Sequence, residues 1–444
     1  MTLQADFIQI ARSPRRPARR RAAPVWIRAF TAATVLATAA IAVVLSAIAG
    51  GVREDIAVLG ERTAPQVTAA EDLYFALSDM DAQLANILLT KNDAGLTMEH
   101  TVAQDAYGQD RVLAAGGLQR AASVAGDDED VQLAVRDVLD RFGRYQSLAA
   151  QAMALNDARR PFADVLVLQR QATTLMHSTL DIVGKLGVTN KKAFDQSYQD
   201  RRNTIALARD RLVVLGVVLV ASLIGLQVVF RVRMRRRLNP AVIVATLVAG
   251  WLTIAGIELM NREFEYLRSA KEDAFSSLLV LTQARAVSHD ALADQSRFLL
   301  DPEWSERYAN DFQNKDARVT GYLADEGQNV TFPGEQQAVA VTTAAYEQYR
   351  TADQSLRNIV VDGDRHAAIK YCLDPWSNSS SHLFSVYDKA LIDVIDINQR
   401  AFDTTVSAAE DDLTGWTGLL PYGAGVVIVL LVGVGIQPRL AEYR

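Results

Sequence analysis

Four long apolar segments divide this 444-residue chain and constrain its fold more than any other feature of the sequence. Each segment is nearly free of charge and holds enough residues for an α-helix, at about 1.5 Å per residue, to cross a hydrocarbon core about 30 Å thick. The sequence therefore predicts a protein with four transmembrane (TM) helices, at residues 26–49, 212–230, 240–257 and 416–436.

The two long polar regions between these segments, residues 50–211 and 258–415, are predicted to be helical. They contain few Pro or Gly residues inside long stretches and no alternating runs of Val, Ile and Thr of the strand type. Cys372 is the one cysteine of the chain, so packing must hold each region together without an internal disulfide. Helical spacing and turn residues indicate four helices in each region. The predicted fold is an all-α membrane protein with two four-helix bundles.

Repeated segments indicate a tandem duplication. NKKAFD, which begins at Asn190, and NQRAFD, which begins at Asn398, each precede an apolar segment. The segment DMDAQLANILL at residues 79–89 also aligns with DALADQSRFLL at residues 290–300, with an offset of 211 positions. Matches that keep one order favour a repeated unit made of TM helix, four-helix bundle and TM helix.

The two repeated asparagines, Asn190 and Asn398, fall on apolar seams with steps of three and four residues. The simpler interpretation is a buried Asn that fixes helix register at some cost in stability. A ligand contact or a switch point is the alternative.

Arginine clusters predict the orientation in the membrane. The arm at residues 1–25 and the loop at residues 231–239 are short and strongly basic, and such segments stay in the cytoplasm. Both termini are thus predicted to be cytoplasmic and both polar regions extracytoplasmic, with the tail at residues 437–444 inside. The arginines are expected to set topology and contact anionic lipid rather than nucleic acid. The candidate output surface comprises Arg231, Arg233, Arg235, Arg236, Arg237, Arg439 and Tyr443.

The first apolar segment has two interpretations. A basic arm followed by an apolar stretch and AIAG resembles a cleaved signal peptide. The stretch is longer than the apolar core of about 7 to 15 residues that such peptides have, which favours an uncleaved anchor.

Catalytic signatures are missing from the sequence, which shows no P-loop, HExxH, GxSxG or zinc-type Cys pair. His289, His366 and His382 lie close to aspartates in the sequence, but their spacing fits no set of metal ligands, and solvated or capping histidines are the favoured interpretation. The sequence thus predicts no enzyme, no cofactor and no metal. A channel or carrier is disfavoured because the apolar segments lack ionisable groups near their centres.

The architecture resembles the four-helix-bundle sensor domains of bacterial chemoreceptors and histidine kinases, whose first and last helices run into the membrane. RRRLNP at residues 235–240 also resembles the basic, Pro-containing junction that opens a HAMP linker in those receptors. Another apolar segment follows here instead of a HAMP domain.

The whole chain, with its GIQPRLAEYR tail, resembles the actinobacterial four-span membrane protein that works with a glutamine-binding-type lipoprotein outside and Ser/Thr protein kinase G inside. This resemblance implies a relay that reports extracytoplasmic aspartate, glutamate and glutamine to the kinase. It implies a solute-binding lipoprotein and a cytoplasmic Ser/Thr kinase as partners. A homodimer is a possible oligomeric state. The alternative functions are those of a direct small-molecule sensor, which binds its ligand within its own helical bundles, and of a structural envelope protein.

Two tryptophans, Trp304 and Trp376, fall in connections predicted at the distal end of the second polar region, which is the more acidic of the two. They either cap the helical core or dock an extracytoplasmic partner, since Trp is enriched at interface hot spots.

Overall fold

The computed structural model describes residues 23–58, 64–91, 93–124, 129–234, 239–376 and 378–441. Within these residues the chain forms helices and turns and no strand. The described helices include four that are long and apolar enough to cross a membrane. The prediction of an all-α chain with four TM helices is therefore confirmed.

The helices separate into two compact units. The membrane unit contains residues 23–53, 204–263 and 412–441, and the extramembrane unit contains the described residues of 54–203 and 264–411. In chain order the helices are α1 (Ala23–Val58), α2 (Ala64–Thr90), α3 (Thr97–Val124), α4 (Glu129–Asp157), α5 (Phe162–Met234), α6 (Pro240–Arg268), α7 (Ser276–Leu300), α8 (Ser305–Glu326), α9 (Glu335–Val361), α10 (Arg365–Leu373), α11 (Ser380–Leu413) and α12 (Leu419–Ala441).

Close packing in the membrane unit depends on small residues. A Cβ atom on Gly256 would lie 2.7 Å from the Cδ2 methyl of Leu45, so a larger residue at this contact of α6 with α1 would require the Leu45 side chain to shift. A buried hydrogen bond of 3.0 Å joins the hydroxyls of Thr34 and Ser222. The hydrophobic effect does not drive helices together inside a membrane, because the lipid is as apolar as the helices. Small residues that allow close packing and hydroxyls that form hydrogen bonds stabilise helix contacts there.

Two of the membrane helices continue without a break into the extramembrane unit. Helix α5 has 73 residues, which corresponds to a length of about 110 Å. Helix α6 leads into α7 through a π-helical turn at Ser269–Phe275, where the N–H of Ser276 donates to the carbonyl of Lys271. Such turns occur often at functional sites.

The last membrane helix is separated from the helix before it. Helix α11 ends at Leu413, and α12 begins at Leu419 rather than at residue 416. Gly415 has a φ angle of +91°, a left-handed conformation that favours glycine and ends a helix. The sequence motif Thr-Gly-Trp thus breaks a helix that the sequence pattern predicts to be continuous.

The extramembrane unit joins the two polar regions through their first helices, α2 and α7. Gln283 donates to Glu71 (3.2 Å), and Ser296 donates to Asn86 (2.6 Å). The pairs differ by 212 and 210 positions, so the two helices run parallel. Where the sequence predicts two separate bundles, the structure has one compact unit. The reason is that α7 is buried on nearly all sides and packs against helices of both regions.

Candidate functional site

A group of buried charged side chains lies where α7 meets helices of the first polar region. We call it the Arg297 cluster, and it consists of Arg297, Asp81, Asp290, Asp294 and Lys315. Arg297 has no solvent-exposed surface. Its guanidinium donates to Asp81 of α2 and to Asp294 of α7, each at 2.5 Å. One arginine therefore binds carboxylates from both polar regions.

Further side chains surround the Asp81 carboxylate. Tyr145 of α4 donates to it at 2.8 Å, and Thr173 of α5 donates at 3.1 Å. His177 of α5 lies 3.3 Å from Arg297. The cluster is thus connected to α5, the helix that continues into the membrane unit.

Lys315 of α8 completes the cluster on the side of the second polar region. Its ammonium group lies 2.8 Å from Asp290 and 2.6 Å from Asp294. Although burial alone raises the pKa of Asp290, Lys315 and Arg297 lower that pKa to about 2. Burial raises the pKa of Asp294, and it lowers the pKa of His177. Three carboxylates face two cationic side chains, so charges are nearly balanced inside the protein.

The Arg297 cluster also contains a geometric candidate for a metal site. Ligand atoms of His177, Asp290 and Asp294 lie within 4.8 Å of one another. Both carboxylates already bind the cations of Arg297 and Lys315, which would repel a metal ion at this position. We therefore assign the group to ion pairing.

A second buried group, the His289 cluster, lies about two helical turns before Arg297 on α7. It consists of His289, Asp79, Asp388, Asp110 and Arg285. The His289 ring lies 3.2 Å from Asp79 of α2 and 3.1 Å from Asp388 of α11. Arg285 donates twice to Asp388, at 2.7 and 3.1 Å. The imidazole thus bridges the two polar regions.

Aromatic side chains enclose the imidazole of His289. Phe75 of α2 and Phe384 of α11 meet the ring edge-on, with centroid distances of 4.5 and 4.8 Å. His289 is 7% exposed. The expectation of a solvated or capping histidine is therefore wrong at this position, because its two carboxylate partners come from helices distant in sequence.

The charge state of the His289 cluster follows from its contacts. Burial lowers the pKa of His289, but the hydrogen bonds to Asp388 and Asp79 outweigh this effect and raise the pKa to about 9. Burial and the neighbouring Asp79 raise the pKa of Asp110 to about 8. At neutral pH the imidazole is therefore charged and the Asp110 carboxyl is protonated.

These two groups predict how stability depends on pH. Both pKa values are higher in the folded chain than in the unfolded chain, so the folded state holds more protons and stability falls as pH rises. As pH rises, we expect Asp110 to lower the thermal midpoint of the full chain in detergent between about pH 4 and 8, and His289 to lower it between about pH 6.5 and 9. Asp110→Asn should remove the part of the fall in thermal midpoint that Asp110 causes, which lies below about pH 8.

The matched control for this experiment is Asp140→Asn, since the side chain of Asp140 is 70% exposed. It should leave the pH dependence of the midpoint unchanged. If the thermal midpoint changed with pH equally in the parent chain and in Asp110→Asn, Asp110 would not be a buried neutral acid.

The two tryptophans predicted from the sequence have different environments. Trp304 is half-buried between the guanidinium groups of Arg170 and Arg307, which lie 4.6 and 4.9 Å from its ring centroid. Arg170 also donates to the buried carboxylate of Asp301. Trp376, in the connection between α10 and α11, is 79% exposed. Trp304 is thus part of a packed cationic stack, whereas Trp376 is open to solvent.

The connection that contains Trp376 lies at the C-terminal end of α7. Arg365, at the start of α10, donates to the carbonyl of Leu299. Cys372 packs in one apolar cluster with Leu299. Trp304 follows the same end of α7 along the chain, so both tryptophans belong to one end of that helix.

The two repeated asparagines also differ. Asn398 is completely buried in α11 and donates to Glu335 of α9 at 2.6 Å. Nearby, burial raises the pKa of Glu326 to about 7. Asn190 is half-buried in α5. The structure thus gives Asn398 a polar partner inside the helical core.

The predicted output residues lie mostly at the edges of the described chain. Arg231 is exposed near the end of α5. Arg233 and Arg439 lie in helices, but their side chains are outside the description. The remaining predicted residues lie outside the described residues altogether: Arg235, Arg236, Arg237 and Tyr443.

Sequence reasoning missed both buried clusters, although one signal was present. The segments 79–89 and 290–300, aligned as a duplication, lie on the two helices that contact each other. Charged residues recur through the second segment, at positions 290, 294 and 297, together with several alanines and leucines. Aspartates and arginine at such spacing on a buried helix indicate internal ion pairs.

Comparison with known proteins gives one match. No curated protein and no solved structure matches the chain. Residues 55–199 match a family model described as the actinobacterial sensor domain. The matched range includes α2, α3, α4 and the first part of α5, and thus the Asp79 and Asp81 carboxylates. The match and the four apolar helices together support a multi-pass membrane protein with a role in sensing or signalling.

Proposed function

We propose that this chain is a non-enzymatic relay that carries a signal about extracytoplasmic amino acids across the cell membrane. In this proposal a solute-binding lipoprotein outside reports aspartate, glutamate or glutamine. A cytoplasmic Ser/Thr kinase receives the signal. The match of residues 55–199 to a sensor domain family supports the sensing role. The amino acids and the two partners rest on the resemblance of the whole chain.

The observation that carries the proposal is the continuity of α5. This helix presents Thr173 and His177 to the Arg297 cluster and extends without interruption to Met234. A continuous helix is stiff over its length, so a shift or rotation in one part is transmitted along the axis. Helix shifts of about 1–2 Å are a known switching mode. A change at the buried cluster can therefore reach residues near Arg231.

The arrangement of buried charges supports a switch with two states. Arg297 and His289 bind carboxylates of both polar regions. A small displacement of α2 along α7 would break or exchange these short ion pairs rather than stretch them gradually. Packed cores of this kind have discrete arrangements, and binding of a partner selects one of them.

Orientation in the membrane is part of the proposal. The arginine-rich loop at residues 231–239 favours the cytoplasm for the ends of α5 and α6 that it connects. The extramembrane unit then lies outside the cell. In this proposal a separate cytoplasmic protein carries the response onward.

Trp376 provides a test of partner docking that leaves the core intact. Because its indole is exposed, Trp376→Ala should leave the thermal midpoint unchanged but weaken capture of the solute-binding lipoprotein by about 2 kcal/mol or more. The measurement is quantitative co-purification after cross-linking in native membranes. Trp304→Ala is less suitable, since it also removes two cation–π contacts.

Val341→Ala is the matched control, because Val341 is exposed on α9. It should capture the lipoprotein as well as the parent chain does. Capture by Trp376→Ala at the parent level would exclude this indole from the docking surface. Failure of the parent chain to capture either a solute-binding lipoprotein or a Ser/Thr kinase would contradict the proposed partners.

A further inference from the structure

A small cavity lies between the two polar regions, apart from both charge clusters. Its volume is about 140 Å³. Helices α2 and α3 line one side, and α7, α10 and the start of α11 line the other. An apolar cavity of about 150 Å³ in another protein holds benzene, so a space of this size takes a molecule of about six non-hydrogen atoms.

The polar side chains of the cavity are amides, hydroxyls and one acid. Gln83, Asn86, Ser296 and Ser381 contribute amides and hydroxyls, and Glu99 contributes a carboxylate. Among the described residues that line this cavity there is no lysine or arginine. The Glu99 carboxylate gives the lining one negative charge, which favours an ammonium group and disfavours an anion, and the amides and hydroxyls can hydrogen-bond a neutral polar group.

A hydrogen-bonded chain orders the polar groups across the cavity. Ser296 of α7 donates to the Asn86 carbonyl oxygen at 2.6 Å, and the Asn86 amide donates to Gln83 at 3.2 Å. Each amide keeps a further N–H for another acceptor. Both amide side chains are only half-buried, although they flank the fully buried Leu84 and Ala85. The pocket is thus polar on the α2 side and includes apolar residues such as Leu292 and Val102.

We infer that this cavity is a binding site for a small molecule that carries an ammonium group and an amide or other neutral polar group. Glu99 pairs with the ammonium group, and the amides of Gln83 and Asn86 bind the neutral polar group. A ligand here contacts both polar regions at once. Its binding stabilises their packed arrangement and gives the chain an input of its own, independent of the protein partners proposed above.

Three compounds of equal size test the chemistry of the site. Alaninamide is cationic, alanine is zwitterionic and lactate is anionic. We expect saturable binding to the purified full chain in nanodiscs in the order alaninamide, alanine, lactate. Isothermal titration calorimetry measures it without any partner protein. Equal or tighter binding of lactate, or no saturable binding of alaninamide, would overturn the inference.

Variants of the lining test the assignment of the residues. Glu99→Gln keeps the shape of the side chain and should weaken alaninamide binding about tenfold or more, since it removes a charge-assisted hydrogen bond. The effect of Glu99→Gln on the affinity for alanine and for lactate should be smaller or opposite in sign. Glu129→Gln, at an exposed position in the first turn of α4, is the matched control and should bind as the parent chain does.

A second variant fills the cavity. Ala103 is buried and lines the space, so Ala103→Leu should abolish binding of all three compounds. Unchanged alaninamide affinity in either Glu99→Gln or a folded Ala103→Leu variant would overturn the assignment. Because these experiments contain neither lipoprotein nor kinase, their failure would leave the proposed relay standing, and failure of the relay would leave this site standing.

Discussion

Arg297→Met should destabilise the extramembrane unit by about 3–5 kcal/mol. The substitution leaves the buried Asp81 carboxylate without its arginine, and Asp294 keeps only Lys315. Removing one partner of a buried ion pair is costly because the other charge remains desolvated. The measurement is thermal or denaturant unfolding of the full chain in detergent, followed by circular dichroism.

The loss should also depend on pH. Carboxylates that lose their cation take up protons more readily, since burial favours the neutral form. We therefore expect Arg297→Met to lose more stability at pH 8 than at pH 5. Combining it with Asp81→Asn should recover part of the loss, because the double variant buries one charge fewer.

Arg144→Met is the control for this prediction. The side chain of Arg144 is 68% exposed and its nearest carboxylate, on Asp140, lies 3.9 Å away. Exposed pairs of this kind contribute about 0–1 kcal/mol. If Arg297→Met cost no more than Arg144→Met, the Arg297 cluster would not hold the two polar regions together.

Asn203→Pro should uncouple the two ends of α5. Asn203 is the last residue of α5 that belongs to the extramembrane unit, and it lies exposed near the middle of this helix. Proline there removes a backbone hydrogen bond and kinks the helix, at a local cost of about 3 kcal/mol or more. We expect the chain to insert in the membrane normally but the downstream phosphorylation response to fall about fivefold or more, as for the loss of a typical coupling free energy.

Asn203→Ala is the matched control, because alanine removes the same side chain and preserves the helix. It should respond as the parent chain does. A full response from Asn203→Pro, at equal abundance in the membrane, would mean that α5 does not carry the signal and that the path through α6 and α7 suffices.

The membrane part of the fold could be predicted because its signals are local. A stretch such as residues 212–230 must be a membrane helix on length and apolarity alone. The break at Gly415 could not be predicted with the same certainty. It depends on one left-handed residue inside a pattern that otherwise continues.

The contact between α2 and α7 could not be predicted from the residue pattern of either helix. The residue pattern of each helix is that of a helix packed within its own bundle. The pattern does not identify which face of α2 contacts which face of α7. His289 illustrates the difficulty, since its partners Asp79 and Asp388 are 210 and 99 positions away. The offset of 211 between the two aligned segments nevertheless matched the offset of the contacts closely.

The relay itself is tested most directly by the change in cytoplasmic Ser/Thr phosphorylation when glutamate, glutamine or aspartate is added outside the cell. The comparison is between cells that carry the full chain and otherwise identical cells that lack it. The account predicts a response that requires the chain and returns when the chain is restored. An equal response in cells without the chain would contradict it.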